Sequence, residues 1–160
     1  MVLEYDLLAK NYDELYYDEQ KKKLHILCHA LGSCHNKEIL DVGCGTFFSQ
    51  QFFPYAKMTG IDASKEMITL AQGNIFLGKA EALPCDNDSF DVIISVSAIH
   101  NFVDPEQALK EMKRVLKKRG RVGITLLKKV HREHELIQLI TSSFSVRLVP
   151  CEKDWIFVSK

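Results

Sequence analysis

Several things are scarce in this chain, and each scarcity removes a class of protein. Its 160 residues include 8 glycines, 4 prolines and 1 tryptophan, with no repeat and no low-complexity tract, so neither a fibrous nor a disordered chain fits. No apolar run approaches the ~18 residues of a membrane-spanning helix. Neither sign of charge is in excess: 21 Lys+Arg balance 21 Asp+Glu, so no overall field favours nucleic acid or an anionic membrane. The five cysteines, Cys28, Cys34, Cys44, Cys85 and Cys151, form an odd set at irregular spacings, unlike a disulfide framework. Met1 to Lys10 carries Glu4 and Asp6 and no apolar stretch, so it does not read as a signal peptide. Reduced thiols and a cytoplasmic location are expected. His25, Cys28, His29, Cys34 and His35 crowd together, yet lack a second C-x2-C or H-x3-H pair, so no metal site is expected.

What is present is 46% apolar and 26% charged, the composition of one ordinary globular domain spanning 1–160. The charges are unevenly spread. Glu4 to Glu19 holds six acids against Lys10, and Lys110 to Arg132 holds ten bases against Glu111. Apolar, β-branched runs alternate with amphipathic stretches, the mark of a parallel sheet with helices on both faces. One or two helices are expected within 4–31, ending near Gly32. Strands are expected at Glu38–Val42, Met58–Ile61, Ile75–Leu77, Asp91–Ser97 and Arg121–Leu127, followed by Val146–Val149 and Trp155–Val158. A helix from Pro105 to Arg119 should be capped by Asp104, terminated by Gly120, and carry Lys117, Lys118 and Arg119 at its C-terminus. A further helix should run from about Arg132 to Ser142.

Asp41-Val42-Gly43-Cys44-Gly45-Thr46-Phe47 follows the first strand directly, where an open α/β sheet binds its ligands. Gly43 and Gly45 allow a tight turn and close backbone approach. A dinucleotide fingerprint would need glycine where Phe48 stands. Asp41, ahead of the first glycine, would repel a pyrophosphate and suits a cationic ligand. Asp62, at the end of the second strand, can accept hydrogen bonds from a ribose diol. It could instead cap the helix Lys65–Leu70, a role open to Ser64 as well.

The runs ILDVGCGT, GIDAS-x-x-MI, AEALPCDNDSFDVIIS and DPEQALKEMKRVLKKRGRV, in this order over residues 38–127, resemble the class I S-adenosylmethionine-dependent methyltransferases of the ubiquinone/menaquinone-methyltransferase type. The resemblance implies a single-domain, doubly wound, mostly parallel seven-stranded sheet of Rossmann-like methyltransferase fold. N-terminal lid helices would occupy 1–35 and the α/β core 36–160. It implies S-adenosyl-L-methionine as cofactor and S-adenosyl-L-homocysteine as product. Asp41, Gly43 and Gly45 would line the methionine end, and Cys44, a small apolar side chain within the same glycine loop, counts among the cofactor-binding residues. Asp62 would bind the ribose, Ala63 and Met67 would lie against the adenosine, and Ala80, Glu81 and Ala82 would meet the adenine edge. Ser97 would lie beneath the sulfonium. Phe47 departs from the family, in which a third glycine or a basic residue is common there.

Methyl transfer needs chiefly alignment of nucleophile, methyl carbon and sulfur. His100 is the candidate base where the acceptor carries a proton, and a structural histidine is the alternative. Tyr5, Tyr12, Asn101, Lys128 and Lys129 are candidate substrate contacts, with Tyr12-Asp13 resembling the family's lid segment. The acceptor is a small molecule or a tRNA or rRNA. Strand three should lie at a sheet edge, where a small activator subunit could pair. Two other readings stand beside this one: a non-catalytic cofactor-binding partner or activator, and an NAD-dependent oxidoreductase.

Overall fold

The computed structural model describes residues 12–160, with side chains from Tyr17 onward. A long helix, α1 (Tyr12–Leu31), ends where Gly32, at a φ of 72°, donates its amide to the carbonyls of Cys28 and His29. Glycine takes this left-handed position without a Cβ penalty, which stops the helix. There follow β1 (Glu38–Val42), a single 3-10 turn (Phe48–Phe52), β2 (Lys57–Asp62), α2 (Lys65–Leu70), β3 (Ile75–Leu77) and β4 (Phe90–Val96). A second 3-10 turn (Ile99–Asn101), α3 (Pro105–Val115), β5 (Leu116–Leu127), α4 (Glu133–Ser143), β6 (Val146–Val149) and β7 (Asp154–Ser159) complete the chain.

The seven strands form one sheet in the order β3-β2-β1-β4-β5-β7-β6, parallel except where β7 runs against β5 and β6. The strand order reverses between β1 and β4, so a crevice opens at their carboxyl ends. As expected, β3 is an edge strand.

Residue alternation distributes the core. Val92 and Ile94 of β4 pack with Ile39, Leu27 and Leu31 on the α1 face. Ile93 packs with Leu40, Val42, Leu109 and Met112 on the other. Successive strand side chains point to opposite faces, and both faces are covered, so these strands read as unbroken apolar runs. The same alternation puts Asp41 on the Ile39 side of β1, facing α1 and the first 3-10 turn.

One element differs from expectation. Asp104 does cap α3, accepting the Gln107 amide at 3.0 Å, with Pro105 in the first turn. The helix, however, stops at Val115, and Gly120 is not its terminator. Leu116 turns to extended backbone and pairs with Phe90, and the register shifts before Val92 meets Arg121. Lys117, Lys118 and Arg119 therefore lie in the first part of β5, where Lys117 pairs with Asp91 at 3.2 Å. Helical propensity in this run yields to strand pairing with β4.

Candidate functional site

A cavity of about 220 Å³ lies at the carboxyl ends of β1, β2, β3 and β4. Its floor is built from the turn after β1. Gly43 donates its amide to the Ile61 carbonyl at 2.8 Å, and Gly45 donates to Asp62 Oδ2 at 2.7 Å. Both glycines have positive φ, 76° and 54°. At Gly43 a Cβ would sit 2.4 Å from that of Ala98, so the turn and the segment after β4 approach as closely as backbone allows. At Gly45 nothing lies within 4 Å of that position, which opens on space.

Asp62 also accepts the Ser64 amide at 2.8 Å through Oδ1. Ser64 is the cap of α2, its hydroxyl accepting from Met67 N at 3.2 Å. The capping alternative for Asp62 thus falls to Ser64, and the Asp62 carboxylate is held at the cavity. Ile61, Met67 and Ala80 make an apolar wall, and Glu81 ties it to the opposite side by accepting the amides of Val103 and Asp104 at 2.9 and 3.1 Å. A carboxylate able to meet hydroxyls, beside apolar walls and a backbone turn, suits a nucleoside.

Gly43, Gly45, Asp62, Ala63, Met67, Ala80, Glu81, Ser97 and Asn101 come together on the cavity lining. Asp41, Cys44, Ala82 and His100 do not border it. Asp41, 2% exposed, lies behind the turn; Oδ2 is in a short contact with Ser49 Oγ and Oδ1 has no hydrogen-bond partner. Burial pushes its carboxyl up to about 7, with the nearby Asp62 charge adding to the rise. Burial also raises the Cys44 thiol, whose sulfur packs close to Gly60. Ala82 is exposed. His100 Nδ1 is buried without a partner, and burial, reinforced by the Lys23 charge and opposed by Asp154, lowers its pKa.

Lys128 and Lys129 stand apart from the cavity. Lys128 Nζ donates to the carbonyls of Cys151 and Glu152 at 2.7 and 3.0 Å and lies 4.7 Å from the centre of the Trp155 ring. The Lys129 amide meets Glu133. Tyr5 and the side chain of Tyr12 fall outside the described residues. Phe47 takes a left-handed backbone, φ 63°, and its ring is buried against Gly60 and Gly73. The aromatic ring fills the space beneath the turn. Among the described residues no three His, Cys, Asp or Glu side chains gather as a metal would require. His25 instead sets its ring edge-on to Phe52 at 5.0 Å, and His35 stacks on Tyr55 at 5.6 Å.

Sequence reading missed Lys23 and Asp154, which reach Ser97 from behind the cavity wall. One signal was present: Lys23 stands one turn before Leu27 on the buried stripe of α1. Nothing in the sequence around Asp154 sets it apart.

The Methyltransferase domain family matches residues 40–124. An uncharacterized protein of Methanocaldococcus jannaschii is 36% identical over 123 residues, covering 72% of this chain and 47% of the relative. A demethylmenaquinone methyltransferase of Thermotoga maritima is 29% identical over 133 residues, covering 75% and 58%. Among solved structures, a methyltransferase of Haloferax volcanii in complex with the Trm112 methyltransferase activator superposes with a TM-score of 0.78 at 20% identity, covering 92% of this chain and 78% of that one. The chain spans about half the length of the first of these relatives. With the glycine turn, the acid at the end of β2 and the sheet order in agreement, the chain belongs to the class I S-adenosylmethionine-dependent methyltransferase family.

Proposed function

We propose that this chain binds S-adenosylmethionine in the cavity above β1, β2 and β4 and transfers its methyl group to a small-molecule acceptor. The observation that carries the reading is the Asp62 carboxylate, held at the same cavity as Gly43, Gly45 and Ser97. The residues present fit the cofactor. Asp62 would take the ribose hydroxyls, Met67, Ala63 and Ala80 the adenosine, and Ser97 the reacting end. Asp41, behind the turn with Oδ1 buried and without a hydrogen-bond partner, would act on the amino group of the methionine moiety through the turn rather than by lining the cavity. Cys44 would shape the turn from behind and Ala82 the outer rim. The cofactor, when bound, supplies an electrophilic methyl on a sulfonium. The chain's own part is to fix the methyl donor and exclude water. His100, beside the cavity rather than on its lining and with its pKa lowered by burial, would take the proton only of an acceptor that reaches past the lining to it, with Asn101 orienting that acceptor.

The pairings of Lys128 with carbonyls and of Arg132 with Glu135 favour a small molecule over RNA phosphates. The Thermotoga relative, by its name, points the same way. The free cysteines support a cytoplasmic location, and among the described residues no helix is long and apolar enough to cross a membrane. Removal of residues 1–20 should weaken cofactor binding if this segment closes over the cavity.

Calorimetry with S-adenosylmethionine against NAD tests the binding step. Binding of NAD alone would overturn the reading, and Phe48 in place of the third glycine argues against that outcome. Transfer of labelled methyl into metabolite extract against RNA then tests the acceptor class. Binding without transfer to either would leave a non-catalytic cofactor-binding partner.

A second reading concerns a partner. Phe76 and Leu77 of β3 are 51% and 58% exposed on the sheet's edge, and the Haloferax neighbour is in complex with an activator. We infer that a small activator subunit adds a strand at β3. A purified chain that is monomeric and fully active alone would dismiss it.

A further inference from the structure

A charged pair stands behind the cavity wall at Ser97. Lys23, in the middle of α1, and Asp154, the first residue of β7, are each 1% exposed, although side chains of these types almost always keep their charge in water. Lys23 Nζ lies 2.9 Å from Asp154 Oδ2 and 3.0 Å from Oδ1, and donates to Ser97 Oγ at 2.7 Å. Ser97 Oγ donates in turn to Asp154 Oδ1 at 3.2 Å. The Ser97 amide is tied to Thr125 Oγ1 at 2.8 Å, and its backbone holds a φ of 51°. Ser97 is thus pinned, with its hydroxyl between the two charges, and it lines the cavity. Both charges sit one side chain away from whatever occupies the space in front of Ser97.

The surroundings complete a neutral set. Glu19 Oε1 lies 3.5 Å from Lys23, and Lys153 lies 2.9 Å from Glu19. Among the described residues His100 also feels the pair, and burial with the Lys23 charge lowers its pKa while Asp154 opposes that. A buried ion pair is a poor source of stability, since apolar side chains of like volume commonly do as well. Its position behind the reacting end of the cleft therefore calls for another account.

We propose that Lys23 and Asp154 are specificity-determining residues that set the charge preference of the cleft, governing how it discriminates the sulfonium cation of S-adenosylmethionine from the neutral thioether of S-adenosylhomocysteine. The proposal rests on the cofactor reading above. The two opposite charges leave little net charge behind Ser97, so the pair neither repels the sulfonium cation nor holds it over the neutral thioether, and removing either charge tips that balance. Without Asp154 the set Lys23, Glu19 and Lys153 carries one net positive charge, which would repel the cofactor's charge; without Lys23 the set Asp154, Glu19 and Lys153 carries one net negative charge, which would attract it. Neither group touches the reacting atoms; both act through the wall.

The test is the ratio of dissociation constants for the two ligands, cofactor over product, measured calorimetrically for four proteins. In Asp154→Asn the ratio should rise roughly tenfold, and in Lys23→Met it should fall roughly tenfold, as expected for one unbalanced charge behind a low-dielectric wall. The double variant Lys23→Met/Asp154→Asn restores neutrality and should return the ratio to within about threefold of wild type. A purely structural role would weaken both ligands together and leave the ratio still. Ratios unchanged in the single variants, or shifted in the same direction by both, would overturn the proposal. Failure of the wild type to bind either ligand would instead sink the cofactor reading. Should Asp154→Asn fail to fold, Lys23→Met and the double variant still decide, because their ratios are predicted to differ.

Discussion

The backbone amide of Gly45 meets the Asp62 carboxylate at 2.7 Å, across 17 residues of chain. This contact joins the turn after β1 to the end of β2, two strands already in register from Glu38↔Lys57 to Val42↔Ile61. One carboxylate thereby shapes the turn and faces the cavity. Asp62→Ala should therefore weaken S-adenosylmethionine binding by more than about tenfold, since hydrogen bonds to a charged group contribute roughly 1.5–3 kcal/mol. Asp62→Asn, which keeps one acceptor oxygen, should fall between. Calorimetric constants equal to wild type would separate Asp62 from the cofactor.

The two glycines of the turn should differ in their tolerance of a methyl group. Gly43→Ala meets both a left-handed backbone and the Ala98 side chain at 2.4 Å, a combined destabilisation of about 2–4 kcal/mol. Gly45→Ala meets only the backbone penalty, about 1–2 kcal/mol, because nothing stands within 4 Å. Denaturant unfolding of the two variants compares them directly, and equal losses would contradict the close approach seen at Ala98.

Phe47 invites a substitution toward the family pattern. Phe47→Gly relieves a left-handed backbone worth about 1 kcal/mol but removes a ring that is only 3% exposed. Loss of such a ring typically destabilises by about 3–5 kcal/mol. The net should be a loss of roughly 2–4 kcal/mol, seen as a lower denaturation midpoint. A stabilised glycine variant would mean that the ring contributes little packing beneath the turn.

The sequence made the sheet legible because central parallel strands are buried on both faces and show as apolar runs. Phe90–Val96 and Glu38–Val42 fall within a residue or two of where their runs end. The boundary between α3 and β5 was hidden for the opposite reason. Leu116 to Arg119 is helix-compatible and charged after Leu116, and only the pairing of Leu116 with Phe90 and the Lys117–Asp91 contact mark it as strand. At the site, Gly43, Gly45 and Ser97, which follow strands, and Asp62, which ends one, announce themselves by standing at the carboxyl ends of apolar runs. Asp41, expected to line the methionine end, is instead buried behind the turn on the Ile39 side of β1, a consequence of strand alternation that its place ahead of the glycines masked. The Lys23–Asp154 pair was not readable, since its partners are 131 residues apart and meet only in the assembled fold.

Asp41 yields a pH dependence of defined sign. Buried behind the turn with Oδ1 unpartnered, its carboxyl titrates at about 7 in the folded protein against an ordinary 3.8. The folded state therefore holds this proton more tightly than the unfolded chain does, and between those two values it binds more protons. Stability from this group must then fall as pH rises: it is complete below about pH 4 and lost by about pH 7. A rise of about three pKa units corresponds to roughly 4 kcal/mol. Other carboxylates, such as Asp91 and Glu111, have lowered pKa values and push stability the opposite way at the acid end, so the comparison is best made against a variant. Asp41→Asn keeps the shape and carries no titrating proton, so its stability relative to wild type should climb steadily between about pH 4 and pH 7. Denaturant midpoints for the two proteins across that window give the difference, and parallel curves would show that Asp41 ionises as freely in the fold as in the open chain.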